Sequence, residues 1–216
     1  MQVEYIGNQI LLLAERAIYI DKLKAIFIAD AHFGKATHFR KAGIAVPSNI
    51  ISHEINRLQH LIETNRPEKI YFLGDLFHSH LNNEWQLLVD FVLAHPEIEF
   101  ILVKGNHDIL PEINYQHSNF KVINEPLTVD KLLLSHHPIS GKLLDKNPNL
   151  LHIHGHLHPG IKLKGKAKSF FNLPCFHFQK NQLVLPAFGK FTGLSLIRPK
   201  KVDKVYAVVN DSILEI

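Results

Sequence analysis

Five short apolar runs in this chain stop abruptly at Asp, Asn or His. Ala25-Ile-Phe-Ile-Ala29 halts at Asp30-Ala31-His32, Lys69-Ile-Tyr-Phe-Leu73 at Gly74-Asp75, and Phe100-Ile-Leu-Val103 is soon followed by Gly105-Asn106-His107-Asp108. The run over 131–134 leads into Ser135-His136-His137, and the run over 150–154 into Gly155-His156-Leu157-His158. Continuous apolar runs of this length suit strands buried on both faces. Buried strands that end in cation-holding groups leave few folds open, because ligands of open α/β sheets gather beyond the carboxyl ends of the strands. The five ends can therefore converge on one place.

The segments between these runs support that reading. Ile51, Ile55, Leu58 and Ile62 recur at helical spacing after Pro47, so the pattern predicts an amphipathic helix over 49–65 with Ser48 as its N-cap. A second helix is expected from about Asn83 to His95, burying Trp85, Leu88 and Val92. Upstream, Val3–Ile6, Ile10–Leu13 and Ala17–Ile20 read as strands separated by turns. Beyond Pro111 strands dominate, at 121–123, 127–129, 131–134, 150–154, 161–164, 169–178, 182–186 and 205–209. Strand–helix alternation followed by a run of strands points to an α/β fold: two packed mixed sheets flanked by helices, in four layers. With no repeat or linker in its 216 residues, the chain is expected to form a single domain over 1–216.

Composition narrows the function. Apolar residues make up 46% and charged residues 20%, which excludes a disordered or fibrous chain. Cys175 is the only cysteine, so an internal disulfide is excluded and the thiol is expected to be a small core residue. The N-terminus lacks a signal-peptide pattern. Its longest apolar run, Ile10–Ala14, is far short of the roughly 18 residues of a membrane span, so a soluble, cytoplasmic protein is expected. A net charge of +4 suits an anionic partner.

The chemistry lies in the strand ends. Asp30/His32 and His156/His158 are spaced i, i+2, which in extended backbone puts each pair on one face. Carboxylate oxygen, imidazole nitrogen and one amide oxygen suit divalent Mn, Fe, Zn or Co, and the lack of thiolates disfavours a structural zinc cage. Asp30, His32, Asp75, Asn106, His136, His156 and His158 are too many ligands for one tetrahedral ion. They fit two ions sharing a carboxylate, a known clamp for phosphoryl transfer with the metals about 3.5–4 Å apart. Taken singly, each histidine is more simply a surface or core residue and each aspartate a turn residue. The ordered recurrence at five strand ends is what points to metal. Residue chemistry alone leaves open whether His136 or His137 faces it.

The ordered set Asp30-x-His32, Gly74-Asp75, Gly105-Asn106-His107-Asp108, His136 and Gly155-His156-x-His158 resembles the signature of calcineurin-like metallophosphoesterases. The resemblance implies a first metal held by Asp30, His32, Asp75 and His158. Asp75 would bridge to a second metal held by Asn106, His136 and His156, with His136 chosen over His137 by the family pattern. It further implies that His107 protonates the leaving oxygen or steadies the transition state, and that Asp108 orients the His107 imidazole. Over nearly the whole chain, Asp30-Ala-His-Phe-Gly-Lys35, His38–Gly43, Gly74–Ser79, Asn83-Glu-Trp85 and Leu185–Gly193 resemble bacterial metallophosphoesterases associated with a DNA ligase in repair clusters. That implies a phosphodiesterase or nuclease acting on DNA with a two-metal-activated hydroxide, Mn as the first choice of metal, and DNA ligase or helicase repair partners. Ala31, where Leu is common, departs from the pattern without touching a ligand. A small-molecule phosphoesterase or nucleotide pyrophosphatase with the same dinuclear site is the alternative activity. A metal-binding docking scaffold ranks last, because His107 and the matched ligands are all present.

Substrate contacts are sought among nearby basic residues. Lys35 and Arg40 follow the first ligands and are candidates for a substrate phosphate. Lys162, Lys164, Lys166 and Lys168 alternate after His158, so an extended strand projects all four from one face. They read as a nucleic-acid track or as lysines that keep a sheet edge from aggregating. The patch Arg198, Lys200, Lys201 and Lys204 reads as a solvated loop. Phe188 and Phe191 are expected in the core rather than stacked on a base. His78, His80, His152 and His154 are expected to support the site rather than to ligate.

Overall fold

The computed structural model describes residues 1–41, 43, 50–77, 81–117, 119–165 and 169–216. The Ser48 cap, His78, His80, Lys166 and Lys168 lie outside the described residues.

The first sheet holds seven strands in chain order: β1 (Gln2–Tyr5), β2 (Asn8–Leu13), β3 (Ala17–Ile20), β4 (Ala25–Ile28), β5 (Lys69–Leu73), β6 (Glu99–Val103) and β7 (Phe120–Ile123). β1 to β4 pair antiparallel through tight turns, whereas β4 to β7 pair parallel. Parallel neighbours need crossovers. Two of these contain α1 (Lys35–Lys41) with α2 (Ile50–Asn65), and α3 (Asn83–Leu93). Asn82 caps α3, its side-chain oxygen accepting the Glu84 N–H at 2.9 Å. α1 was not expected, since its sequence shows no apolar stripe.

The second sheet contains β8 (Leu127–Val129), β9 (Leu132–Ser135), β10 (Leu151–His154), β11 (Pro159–Lys164), β12 (Phe170–Gln179), β13 (Gln182–Val184), β14 (Ser195–Leu196), β15 (Lys204–Val209) and β16 (Ser212–Glu215). Its order is β14-β11-β12-β13-β10-β9-β8, with β15 joined to β12 and β16 to β15. β9, β10 and β13 run parallel and the hairpins around them antiparallel, so this sheet is mixed as well.

Side-chain alternation along β4 explains the layering. Ile26 and Ile28 join the cluster beneath the helices, with Leu58, Leu61, Trp85 and Leu88. Ala25 and Phe27 point the other way, into the seam between the sheets with Leu134, Ile153, Phe176 and Leu183. β4 is apolar throughout because it is covered on both faces. Among the described residues the remaining α-helix, α4 (Gly141–Asp145), has five residues, so the helical layer is heavy on the first sheet. The outer face of the second sheet carries the smaller cluster of Ile161, Cys175, Val205 and Ala207. Cys175 is fully buried, as its apolar neighbours suggested.

Candidate metal centre

β4, β5, β6, β9 and β10 end at one edge of the two sheets, and the seven sequence candidates meet there. Asp30, His32 and His158 bring their ligand atoms within 4.8 Å of one another, as do Asp30, Asp75 and His136. Asp75 Oδ2 lies 3.7 Å from His32 Nε2 and 3.4 Å from His136 Nε2, so one oxygen faces both groups. His136 Nε2 in turn stands 3.0 Å from Asn106 Oδ1 and 3.1 Å from His156 Nδ1. Asp30 Oδ1 is 3.2 Å from His158 Nε2.

The backbone makes this convergence possible in a way that strand pleating does not. Asp30, His32, Asp75, His156 and His158 all have left-handed φ, at 53°, 48°, 52°, 66° and 44°. The i, i+2 pairs are therefore aligned by turns, which corrects the expectation of extended backbone. Left-handed φ is uncommon outside glycine and persists where surrounding bonds over-determine it. Here the first two loops are laced together. Asp30 N–H donates to the Gly74 carbonyl at 3.2 Å, His32 N–H to Asp75 at 2.8 Å, and Phe33 N–H to Leu76 at 2.9 Å. Asp30 Oδ2 accepts the His156 N–H at 2.9 Å, tying the second sheet's loop to the first. Close approach also demands glycine. A Cβ on Gly155 would lie 2.5 Å from Asp30 Oδ2, and one on Gly74 (φ 74°) would collide with the His136 ring.

The donor set fits divalent cations. His136 is fully buried, and its Nδ1 lies 3.1 Å from the Leu73 carbonyl. A carbonyl only accepts, so Nδ1 donates to it and Nε2 is turned toward Asn106, His156 and Asp75. Asp30 Oδ1 is buried and, among the described residues, accepts no hydrogen bond. Buried acceptors aimed at one another are costly without a positive charge between them. Burial, with the charges of His136 and His137 next, holds the His156 imidazole below its ordinary range. That favours the neutral form a metal requires.

His107 sits exposed at the rim, its ring edge-on to His32 with centroids 5.5 Å apart. Its backbone N–H donates to Asp75 Oδ1 at 2.9 Å. Asp108 is bound up with the backbone of two loops. Its buried carboxylate accepts the N–H groups of Asp75 (2.8 Å), Gly105 (2.8 Å), Leu76 (2.9 Å) and Phe77 (3.3 Å). Four donors fill a carboxylate's lone-pair positions. Asp108 therefore lashes the β5 and β6 loops together.

The basic residues divide. Lys35 is half-buried; burial lowers its pKa, while the carboxylates of Asp75 and then Asp30 pull it back up, so its ammonium is near the site. Arg40 is engaged elsewhere. It is 3.1 Å from the buried carboxylate of Glu84 and bonds Thr37 Oγ1 at 2.7 Å, which ties α1 to α3. Lys162 and Lys164 project into solvent from β11, with half-buried Leu163 between them, and Lys162 Nζ lies 4.4 Å from the Phe170 ring centroid. Phe188 is fully buried, with the Arg57 guanidinium 3.9 Å above its ring. Phe191, 38% exposed, is not in the core as expected. His152 and His154 are buried in β10 rather than in either group.

Two contributors went unnoticed in the sequence. Glu125 holds the backbone amides of His136 and His137 at 2.7 and 3.0 Å. Gly189 passes so close to the first loop that a Cβ would lie 2.5 Å from the Ala31 carbonyl, while its N–H donates to Asp30 at 3.1 Å. The Leu185–Gly193 run was visible as a motif, whereas nothing near Glu125 signalled its role.

Such pooling of Asp, His and Asn at the carboxyl edges of two mixed sheets marks metallohydrolases. More narrowly, the chain belongs to the calcineurin-like phosphoesterase family, whose profile matches residues 23–183. It is similar over 100% of its length to the crystal structure of the Pseudomonas putida nuclease MPE, covering 99% of that chain at 25% identity with a TM-score of 0.80. Yfce, a phosphoesterase from E. coli, aligns at 14% identity over 88% of this chain and 90% of that one, with a TM-score of 0.42. Among curated proteins none matches this sequence. Among the described residues, no helix is long and apolar enough to cross a membrane.

Proposed function

We propose that this protein is a two-metal phosphodiesterase that cuts nucleic acid, with DNA as its substrate before RNA. The observation that carries the reading is the full-length likeness to a nuclease. The position of Asp75 Oδ2 between two ligand groups supports a pair of ions. Asp30, His32, Asp75 and His158 would hold one ion, and Asp75, Asn106, His136 and His156 the other. Bound divalent ions, Mn first among Mn, Fe, Zn and Co, supply Lewis acidity at phosphorus and a nucleophile at neutral pH.

The chain's own residues do the rest. Carboxylates and neutral imidazoles hold the charge, and hydrogen bonds from backbone and loops fix their directions. His107, on the open rim beside His32, gives a proton to the departing ester oxygen. Lys35 meets a non-bridging phosphate oxygen, its ammonium within the field of the Asp75 and Asp30 carboxylates. Lys162 and Lys164 contact the backbone of a longer substrate. Action in DNA repair, beside a ligase or helicase, belongs to the same proposal and rests on the motif resemblance.

The test is a panel of single- and double-stranded DNA, RNA, nucleotides and bis-p-nitrophenyl phosphate, each assayed with several divalent metals. A nucleic-acid enzyme loses affinity with salt at a log–log slope of about −0.7 to −0.9 per phosphate contacted. A flat salt response, with nucleotides turned over best, would replace this reading by the small-phosphoester one. His107→Ala should keep its metal content and lose roughly 10²- to 10⁴-fold in turnover. Full activity in that variant removes His107 from the chemistry.

A further inference from the structure

The family signature has one histidine after the fourth strand end; this chain has two, and the structure holds the second as firmly as the first. Glu125 Oε1 lies 2.5 Å from His137 Nδ1, while Oε2 accepts the backbone N–H groups of both His136 and His137. Ser135 Oγ donates to the His137 carbonyl at 2.6 Å, fixing the next peptide along the chain. A solvated surface histidine needs none of these ties. The His137 ring is drawn against the site, its centroid 4.6 Å from those of both His136 and His156. One nitrogen from each of the three rings lies within 4.8 Å of the others.

From this geometry we infer that His137 is an additional ligand of the second metal. A carboxylate accepts the Nδ1 proton, which fixes the tautomer and ring direction and leaves the other nitrogen its lone pair. Glu125 stands in that relation to His137, as the Leu73 carbonyl does to His136. The inference rests on the two-metal reading above and makes the two positions unequal. The first offers two carboxylates and two imidazoles, from Asp30, Asp75, His32 and His158. The second offers three imidazoles, one amide and the shared carboxylate, from His136, His137, His156, Asn106 and Asp75. Oxygen-rich sites suit Mn, whereas imidazole-rich sites suit Zn, Fe or Co.

Cobalt titration of the metal-stripped protein tests this, read by calorimetry and by the visible absorption of Co(II) rather than by turnover. Wild type should take up two equivalents. In His137→Ala the second equivalent should weaken about 10- to 100-fold with an altered spectrum, while the first is unchanged; Glu125→Gln should weaken the same equivalent less. Circular dichroism reports folding, and His137 is partly exposed, so its truncation leaves no core cavity. Unchanged affinity and spectrum in His137→Ala, with Asn106→Ala still losing the second equivalent, would overturn the inference and leave the two-metal reading standing. Uptake of a single equivalent by wild type would overturn both.

Discussion

At Asp108 a catalytic-looking motif and a structural duty coincide. The residue follows His107 directly, yet its carboxylate is spent on four backbone amides from two loops. Its burial pushes the carboxyl pKa up against the pull of those amides. Truncation would strand buried N–H groups of the loop that carries Asp75, each costly when unsatisfied. Asp108→Ala is expected to lose about 3–5 kcal/mol of stability in urea unfolding and to release metal. A stable variant with intact metal and impaired turnover would instead point to the role of orienting His107. Sequence shows which groups a residue has; it does not show whether a neighbour or a distant backbone uses them. The same limit applies to Arg40, which pairs with Glu84 forty-four positions away.

Among the elements, the link between α2 and the Leu185–Gly193 run supports the first ligand loop from behind. Glu54 Oε1 accepts the Lys190 N–H at 3.2 Å, and Arg57 donates to the Phe188 carbonyl at 2.9 Å and to the Glu15 carbonyl. Burial raises the Glu54 pKa to about 7 from 4.5, against the opposing pull of the Lys190 amide and Arg57. The folded protein thus keeps a proton that the unfolded chain releases. This stability is fully present below pH 4.5 and is lost as pH rises through about 7, by up to roughly 3 kcal/mol. Glu54→Gln, which retains the acceptor without the charge, should raise the melting temperature at about pH 8 and leave it unchanged at about pH 4.5. An equal shift at both pH values would place the effect elsewhere. Element by element, β3, β5 and β8 fall where apolar runs begin and end, because burial on two faces is written in composition. α1 and the two-residue β14 escaped notice because each depends on its neighbours and not on its own pattern.

Across the whole molecule, Asp30, His32, Asp75 and Asn106 follow strands of the first sheet, while His136, His156 and His158 follow strands of the second. A bound cation therefore ties the two sheets across their seam. Mn at about 100 times its dissociation constant should stabilise the fold by about 2.7 kcal/mol per site, or roughly 5–10 °C in melting temperature. A chelator should reverse the gain, and a melting temperature indifferent to metal would mean that the groups do not act together. The order of ligand types, the buried strands that precede them and the two-sheet class are set by sequence alone, because short-range chemistry and side-chain periodicity encode them. Tertiary structure alone decided that the paired ligands align through left-handed turns and that Asp108 binds backbone. It also decided that Glu125 grips two consecutive histidines. Those facts depend on contacts between segments distant in sequence, where hydrogen bonds and close packing select among residues that local pattern leaves equivalent.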